Sequence, residues 1–285
     1  MPGKMRPSVI RTGILLMIVV LFLLPVLVTV INSLMTEREI MANYGMLGEQ
    51  DAGAPVNLKW IPDRVSFEQY AHVLVTSTTY LRLFWNSVVL VVPIVTGQTA
   101  VALLASFALG VLRFPGREAV FLMYLFTMLL PFQVTLVPNY LMAERLGLLG
   151  SHSSIVLPGI FGAFGVFLLR QYMLHIPSAY IEAAKMDGAG YVRIFFNVVL
   201  PMVKPGIAAL MVLLFTDHWN MVEQPLIFLQ DAALQPLSLF LSRIREGMLG
   251  VSFAASVVYM VPAVLLFLSA EEHFIEGIEL SGIKG

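Results

Sequence analysis

The stretch from Arg170 to Ile207 holds the densest group of residues whose types and spacing predict a task. Pro177-Ser178 offers a helix N-cap, and Glu182 lies where the positive end of the helix macrodipole favours an acid. Gly188 and then Gly190 can end the helix in the left-handed conformation. By i, i+3, i+4, i+7 spacing, Tyr180, Ala183, Ala184 and Asp187 share one face that is small in its middle. Small side chains let another surface approach the backbone closely. The chemistry expected is therefore non-covalent: a short, capped helix shaped as a knob for a partner's groove.

Covalent chemistry finds few candidates. The chain has no Cys, which excludes thiol nucleophiles, iron-sulfur clusters and Cys-based zinc sites. Its five His are scattered, and the one ligand-like cluster, Glu272-His273-x-x-Glu276, reads as the solvated face of a terminal helix. No G-x-x-x-x-G-K-[ST], G-x-S-x-G or H-E-x-x-H occurs, so the chain is not expected to be an enzyme, and any nucleotide chemistry must come from another subunit. A net charge of -1 leaves no electrostatic footprint for nucleic acid.

The elements that must position the knob are set by where charge is missing. Of 285 residues, 58% are apolar and only 12% charged, a balance that points to an integral membrane protein. Charge-free runs occupy 12–36, 83–112, 119–143, 146–169 and 247–270, each long enough to cross about 30 Å of hydrocarbon as a helix. A shorter run, 205–216, is extended by Val198-Val199-Leu200 and Trp219 to Val222, with Lys204 snorkelling at one end. The expectation is all-α, with six transmembrane helices. The first run follows Lys4, Arg6 and Arg11 but is too long for a leader's apolar core, and it reads as a span.

The expected organisation is an N-terminus over 1–12, a first span over 13–34, and an external loop with short interfacial helices over 35–82. A core follows over 83–270, carrying the cytoplasmic connection 171–200, and then a tail over 271–285. Six spans put both termini on one side. With that side cytoplasmic, ten Lys and Arg lie inside and seven outside, in agreement with the positive-inside bias. Pro25, Pro93, Pro131, Pro138, Pro158 and Pro262 fall within or at the ends of the runs and invite kinks.

Polar residues on apolar spans are the candidates for a solute pathway. Asn86, Gln98, Gln133 and Asn139 are uncharged, and each serves equally well as interhelical glue. Asp217, beside His218, faces either a cavity, with Asn220 or Gln224 as neighbours, or the outer interface. Paired acids deep in several spans, which an ion-coupled transporter needs, are missing.

The loop itself resembles a known family. Glu182-Ala183-Ala184-x-x-Asp187-Gly188-Ala189, followed by Val198-Val199-Leu200-Pro201, is similar to the EAA loop of binding-protein-dependent ABC importer permeases. Trp85-Asn86-Ser87, Arg113-Phe114-Pro115-Gly116, Trp219-Asn220, Pro225-Leu226 and the terminal Gly282-Ile-Lys-Gly285 resemble the carbohydrate-uptake branch, the maltose- and glycerol-3-phosphate-type permeases. One departure is Gln224, where that branch often carries Trp. The resemblance implies the type I ABC importer permease fold in a bacterial inner membrane. It also implies import of a sugar, oligosaccharide or related polyol. Its implied partners are cytoplasmic ATPase subunits that hold ATP and Mg, a second permease forming a heterodimer, an external solute-binding protein and the bilayer. It assigns coupling to Glu182, Ala183, Ala184, Asp187, Gly188, Gly190 and Pro201.

Overall fold

Proline placement decides where several helices stop. The computed structural model describes residues 9–44, 57, 59–243 and 248–282, with side chains described between Arg11 and Glu271. The loop patch 51–55 and the side chains of the acidic tail beyond Glu271 lie outside the described residues. Among the described residues, regular structure is entirely helical.

One unit joins 1–81 to 243–261. Its first helix, α1 (Val9–Ser33), is apolar on every side and exposes side chains such as Met17 and Phe22, as a helix meeting hydrocarbon should. Between α1 and residue 77 lie short helices, α2 (Glu37–Tyr44) and α3 (Glu68–Ala71), the second running into a π-helical turn over His72–Thr76. Met35, Ile40 and Tyr44 make a small core with Ile31, Leu249 and Phe253. Polar pairs fix it: Asn32 donates to the Tyr44 hydroxyl at 3.0 Å, Ser33 meets the Tyr70 hydroxyl at 2.7 Å, and Gln69 donates to Glu37 at 3.0 Å. Lys59 bridges Glu39, at 2.9 Å, and Asp63, so the loop is pinned by charge as well as by packing.

The other unit joins 82–242 to 262–285. Its elements are α4 (Thr78–Gly110), which begins in the first unit, then α5 (Arg117–Met128), α6 (Phe132–Arg145), α7 (Ser153–Gly159) and α8 (Ala163–Leu174). After them come α9 (Ser178–Met186), α10 (Tyr191–Ile194), a π-helical turn (Phe195–Val199), α11 (Leu200–Met202) and α12 (Lys204–Trp219). The last are α13 (Glu223–Phe228), α14 (Leu237–Leu241) and α15 (Leu249–Gly282), which belongs to the first unit up to Val261.

Two clusters hold this unit. Leu90 and Ile94 of α4 pack with Ile155 of α7 and with Phe228 and Leu229. At the other end of α4, Phe107 packs with Met173 of α8 and with Ile194, Phe195, Val199 and Val203. The Phe107 and Phe195 rings meet edge to face at 5.1 Å, an arrangement the ring quadrupoles favour.

Six spans were expected; among the described residues four helices are long and apolar enough to cross a membrane, and the total reaches six if each of two bent pairs is one span. The run 119–143 is broken into α5 and α6, bent by 98°. Pro131 sits in the break with ψ 141°, far from helical values, and caps α6. The short run expected around 205–216 forms α10–α11 and α12, bent by 73°. Pro201 and Pro205 are four apart there, so the N–H that would bridge them along the helix does not exist. The helix long and apolar enough to cross in the region of 146–169 also starts later than the charges suggest, as Ser153–Leu174. Residues 146–152 form the turn after α6, where Gly150 N donates to Phe228 O at 3.1 Å and His152 Nε2 to Leu234 O at 2.8 Å.

Asn86 belongs to this framework. Its amide donates to the carbonyls of Ala233 at 2.8 Å and Gln235 at 3.0 Å, tying α4 to the segment before α14, and the adjacent Ser87 hydroxyl accepts from Leu237 N at 3.0 Å. Asn86→Ala orphans both carbonyls and is expected to destabilise the protein by about 2 kcal/mol, read as a lowered unfolding midpoint in detergent. A second prediction concerns Lys59, whose pKa is raised above the usual 10.5 by its hydrogen bonds to Asp63 and then Glu39. A raised lysine stabilises fully below its unfolded value and loses that contribution as pH climbs through the folded one. The Lys59→Met variant should therefore match the parent's stability only above pH 10.5, in an alkaline unfolding series.

Candidate functional site

The knob expected from sequence is α9, and its ends are closed by backbone geometry more than by side chains. Pro177 occupies the N-cap position, with no side-chain cap, so Ser178 does not serve as one. At the other end Gly188 has φ +77°, a conformation that costs a residue with a Cβ. Gly188 N donates to Lys185 O at 3.0 Å and Ala189 N to Ala184 O at 2.9 Å, the paired bonds of a Schellman closure. Ala184 and Ala189 also both pack against the Phe107–Met173 cluster. Gly190, expected to share the left-handed turn, has φ −73° and ψ 165°, which is extended backbone leading into α10.

The face expected to be uniform is split. Ile181 and Ala184 turn toward the cluster and seat the helix, whereas Tyr180, Glu182, Ala183 and Asp187 are exposed. The most prominent side chain is Met186, 89% exposed. Sequence reasoning passed over it, although it stands one helical turn beyond Glu182 on the outward side. Methionine is unbranched and polarisable and adapts to an irregular groove. Lys185 instead lies 5.3 Å from the centre of the Tyr191 ring and ties the end of α9 to α10. Pro201 sits in α11, directly after the π-helical turn.

On α8, one turn before the Met173 that enters this cluster, lies a buried arginine that the sequence did not single out. Arg170, 6% exposed on α8, donates through Nε to Leu109 O at 3.0 Å and through Nη2 to both Glu118 oxygens at 2.9 Å. Its guanidinium carbon lies 3.8 Å from the centre of the Phe121 ring, which stacks on Phe167. One side chain thus joins the end of α4, the start of α5 and the last turns of α8. Arg117 adds bonds to Glu118, at 2.9 Å and 3.1 Å, and to Leu112 O at 3.1 Å. The Arg113-Phe-Pro-Gly116 motif forms the turn that presents these groups.

The second candidate region is a cavity of about 1000 Å³ walled by α4, α5, α6, α12 and the junction of α7 with α8. Of the residues proposed for a pathway, Asp217 lines it; Gln98 and Asn139, which the sequence left between pathway and glue, line it as well. Gln133 instead reaches Glu223 at 3.4 Å, Asn220 donates to Thr216 O at 2.8 Å, and Asn86 is engaged as described above. His218 Nδ1 donates to Leu214 O at 2.8 Å, so that nitrogen carries the proton. No group of three or more potential metal ligands occurs among the described residues.

These features define a helical, multi-span membrane protein with an exposed capped helix and a largely apolar cavity that carries a few polar side chains. Residues 102–274, more than half of the chain, match the family model "Binding-protein-dependent transport system inner membrane component". The chain belongs to that family. It is 28% identical, over 92% of its length and 91% of the relative's, to the arabinooligosaccharides transport system permease protein AraQ of Halalkalibacterium halodurans. It is 31% identical, over 75% of its length and 78% of the relative's, to the sn-glycerol-3-phosphate transport system permease protein UgpE of Yersinia pestis. In fold it is similar to a chain of a bacterial ABC transporter involved in the import of the acidic polysaccharide alginate. That likeness has a TM-score of 0.76 and 21% identity, and covers 96% of this chain and all of the other.

The arginine node yields a prediction. Glu118→Ala removes the acceptor that Arg170 uses twice and leaves a buried guanidinium with one carbonyl and a ring. Stability should fall by about 2 kcal/mol, and by roughly half that in Glu118→Gln, which keeps an oxygen. Chemical unfolding of the purified chain in detergent would show equal stabilities if the pair contributes nothing.

Proposed function

We propose that this chain is the membrane-spanning subunit of an ATP-driven carbohydrate importer, and that α9 is where an ATPase pulls on it. The observation that carries the reading is α9 itself: a helix rigidly closed at Gly188, seated by Ile181 and Ala184, with Glu182, Ala183 and Met186 facing outward. A helix so held transmits a displacement, whereas an unanchored loop would absorb it. The inner-membrane family and the sugar-permease relatives support the solute class. In this reading each bent pair is one crossing, which gives six, and both termini with α9 face the cytoplasm. A separate ATPase holds ATP and Mg, a second permease completes the pore, and an external binding protein delivers the solute. Glu182 and Asp187 supply polar contacts, Ala183 and Met186 fill the cleft, and Gly188 keeps the geometry.

Two outcomes follow for the reconstituted complex. Gly188→Val places a β-branched residue in the left-handed region, at a local cost on the order of 1–3 kcal/mol. It should insert normally yet abolish ATP-driven uptake, and wild-type uptake by that variant would remove the coupling role. Because the chain lacks Cys, Met186→Cys provides a single attachment point on it. A short bifunctional reagent should join this position to the ATPase subunit, and failure to do so in an actively transporting complex would place the docking elsewhere.

A further inference from the structure

The cavity carries one polar group that packing does not explain. Gln98 is 3% exposed on α4, lines the cavity, and its Oε1 has no hydrogen-bond partner among the described residues. A buried, unsatisfied amide oxygen destabilises a protein, most of all where water is scarce. The structure nevertheless makes room for it. A Cβ on Gly162 would lie 2.1 Å from Gln98 Nε2 and 2.7 Å from its Cδ, so the amide occupies space that any other residue at 162 would fill. The terminal torsion of glutamine is broad, and a modest rotation turns either amide atom toward the cavity.

The rest of the wall says what such an amide would meet. Asn139 and the Tyr124 hydroxyl offer uncharged donors and acceptors, the Thr127 and Thr135 hydroxyls, which donate to Tyr124 O and Phe132 O, offer acceptors, and Phe132 and Phe164 offer ring faces. Rings suit the C–H faces of a pyranose or furanose, and hydroxyls and amides suit its edges. No Lys or Arg lines the cavity among the described residues, and the one acid on its wall is Asp217. A phosphate or uronate entering there would give up its hydration and face the like charge of Asp217, and among the described residues of this wall only the His218 imidazole, 3.9 Å from that same Asp217, could offset it with a positive charge.

We infer that Gln98, held by the Gly162 niche, is a solute contact on the transport pathway, and that the solute passing this wall is a neutral, hydroxyl-rich glycan and not a sugar phosphate or polyuronate. The inference rests on the carbohydrate-import reading and narrows it.

The test uses the complete complex in proteoliposomes with its own binding protein. Its probes are arabinotriose, maltotriose and xylotriose as neutral solutes, and trigalacturonate and glycerol-3-phosphate as anionic ones. Uptake should be confined to a neutral probe. Gln98→Leu should lower that uptake at least tenfold while leaving the melting temperature of the chain unchanged or raised, because an orphaned polar group has been removed. A merely structural glutamine would not separate the two readouts. Gly162→Ala, which displaces the amide without touching its chemistry, should lower uptake in the same way. ATP-driven uptake of an anionic probe, or wild-type transport by Gln98→Leu, overturns the inference and leaves the importer reading standing. A complex that moves no saccharide on ATP defeats the importer reading, and this inference with it.

Discussion

A single guanidinium organises the end of the bundle from which α9 emerges. Arg170 satisfies the carbonyl of Leu109, pairs with Glu118 and lies on the Phe121 ring, so three helix termini share one centre. Removing a charge from water is costly, and the cost is offset here only while all these partners stay in place. That condition is what makes the arrangement specific: shifting any one helix end leaves a buried cation unsatisfied. Met173, one helical turn beyond Arg170 on the same helix, enters the cluster against which Ile181 and Ala184 of α9 pack.

The clearest parts of the sequence were those whose physics is local. The glycine that closes α9 and the charge-free runs that become helices depend on neighbours within a few residues. Arg170 and Glu118 stand 52 residues apart, and nothing in either neighbourhood marks them as partners. The splitting of the Ala183–Ala184 face has the same cause: both fit a small face by spacing, and only the packed cluster shows that Ala184 is turned inward while Ala183 is not. Prolines announced breaks but not their size. Pro25, Pro93 and Pro262 lie within continuous helices, while Pro131 and the Pro201–Pro205 pair accompany bends of 98° and 73°.

Polar residues on the spans looked alike in sequence and diverged in structure. Asn86 fills its donors with backbone carbonyls across to the segment before α14. Gln98, twelve positions along the same helix, has an empty acceptor beside a cavity. The difference lies in what the facing segment provides, free carbonyls in one case and a bare glycine in the other. No property of an amide side chain taken alone would distinguish them.

One consequence concerns α1. Its apolar stretch, Arg11–Ser33, has 23 residues, none of them buried over the most hydrophobic window. At 1.5 Å per residue it measures about 35 Å, longer than a hydrocarbon slab of about 30 Å. A rod that outruns its slab leans until its apolar length matches the slab. Thicker bilayers favour an upright α1 and thinner ones a leaning one, and its last turn, through Ile31, meets the Met35–Tyr44 core directly.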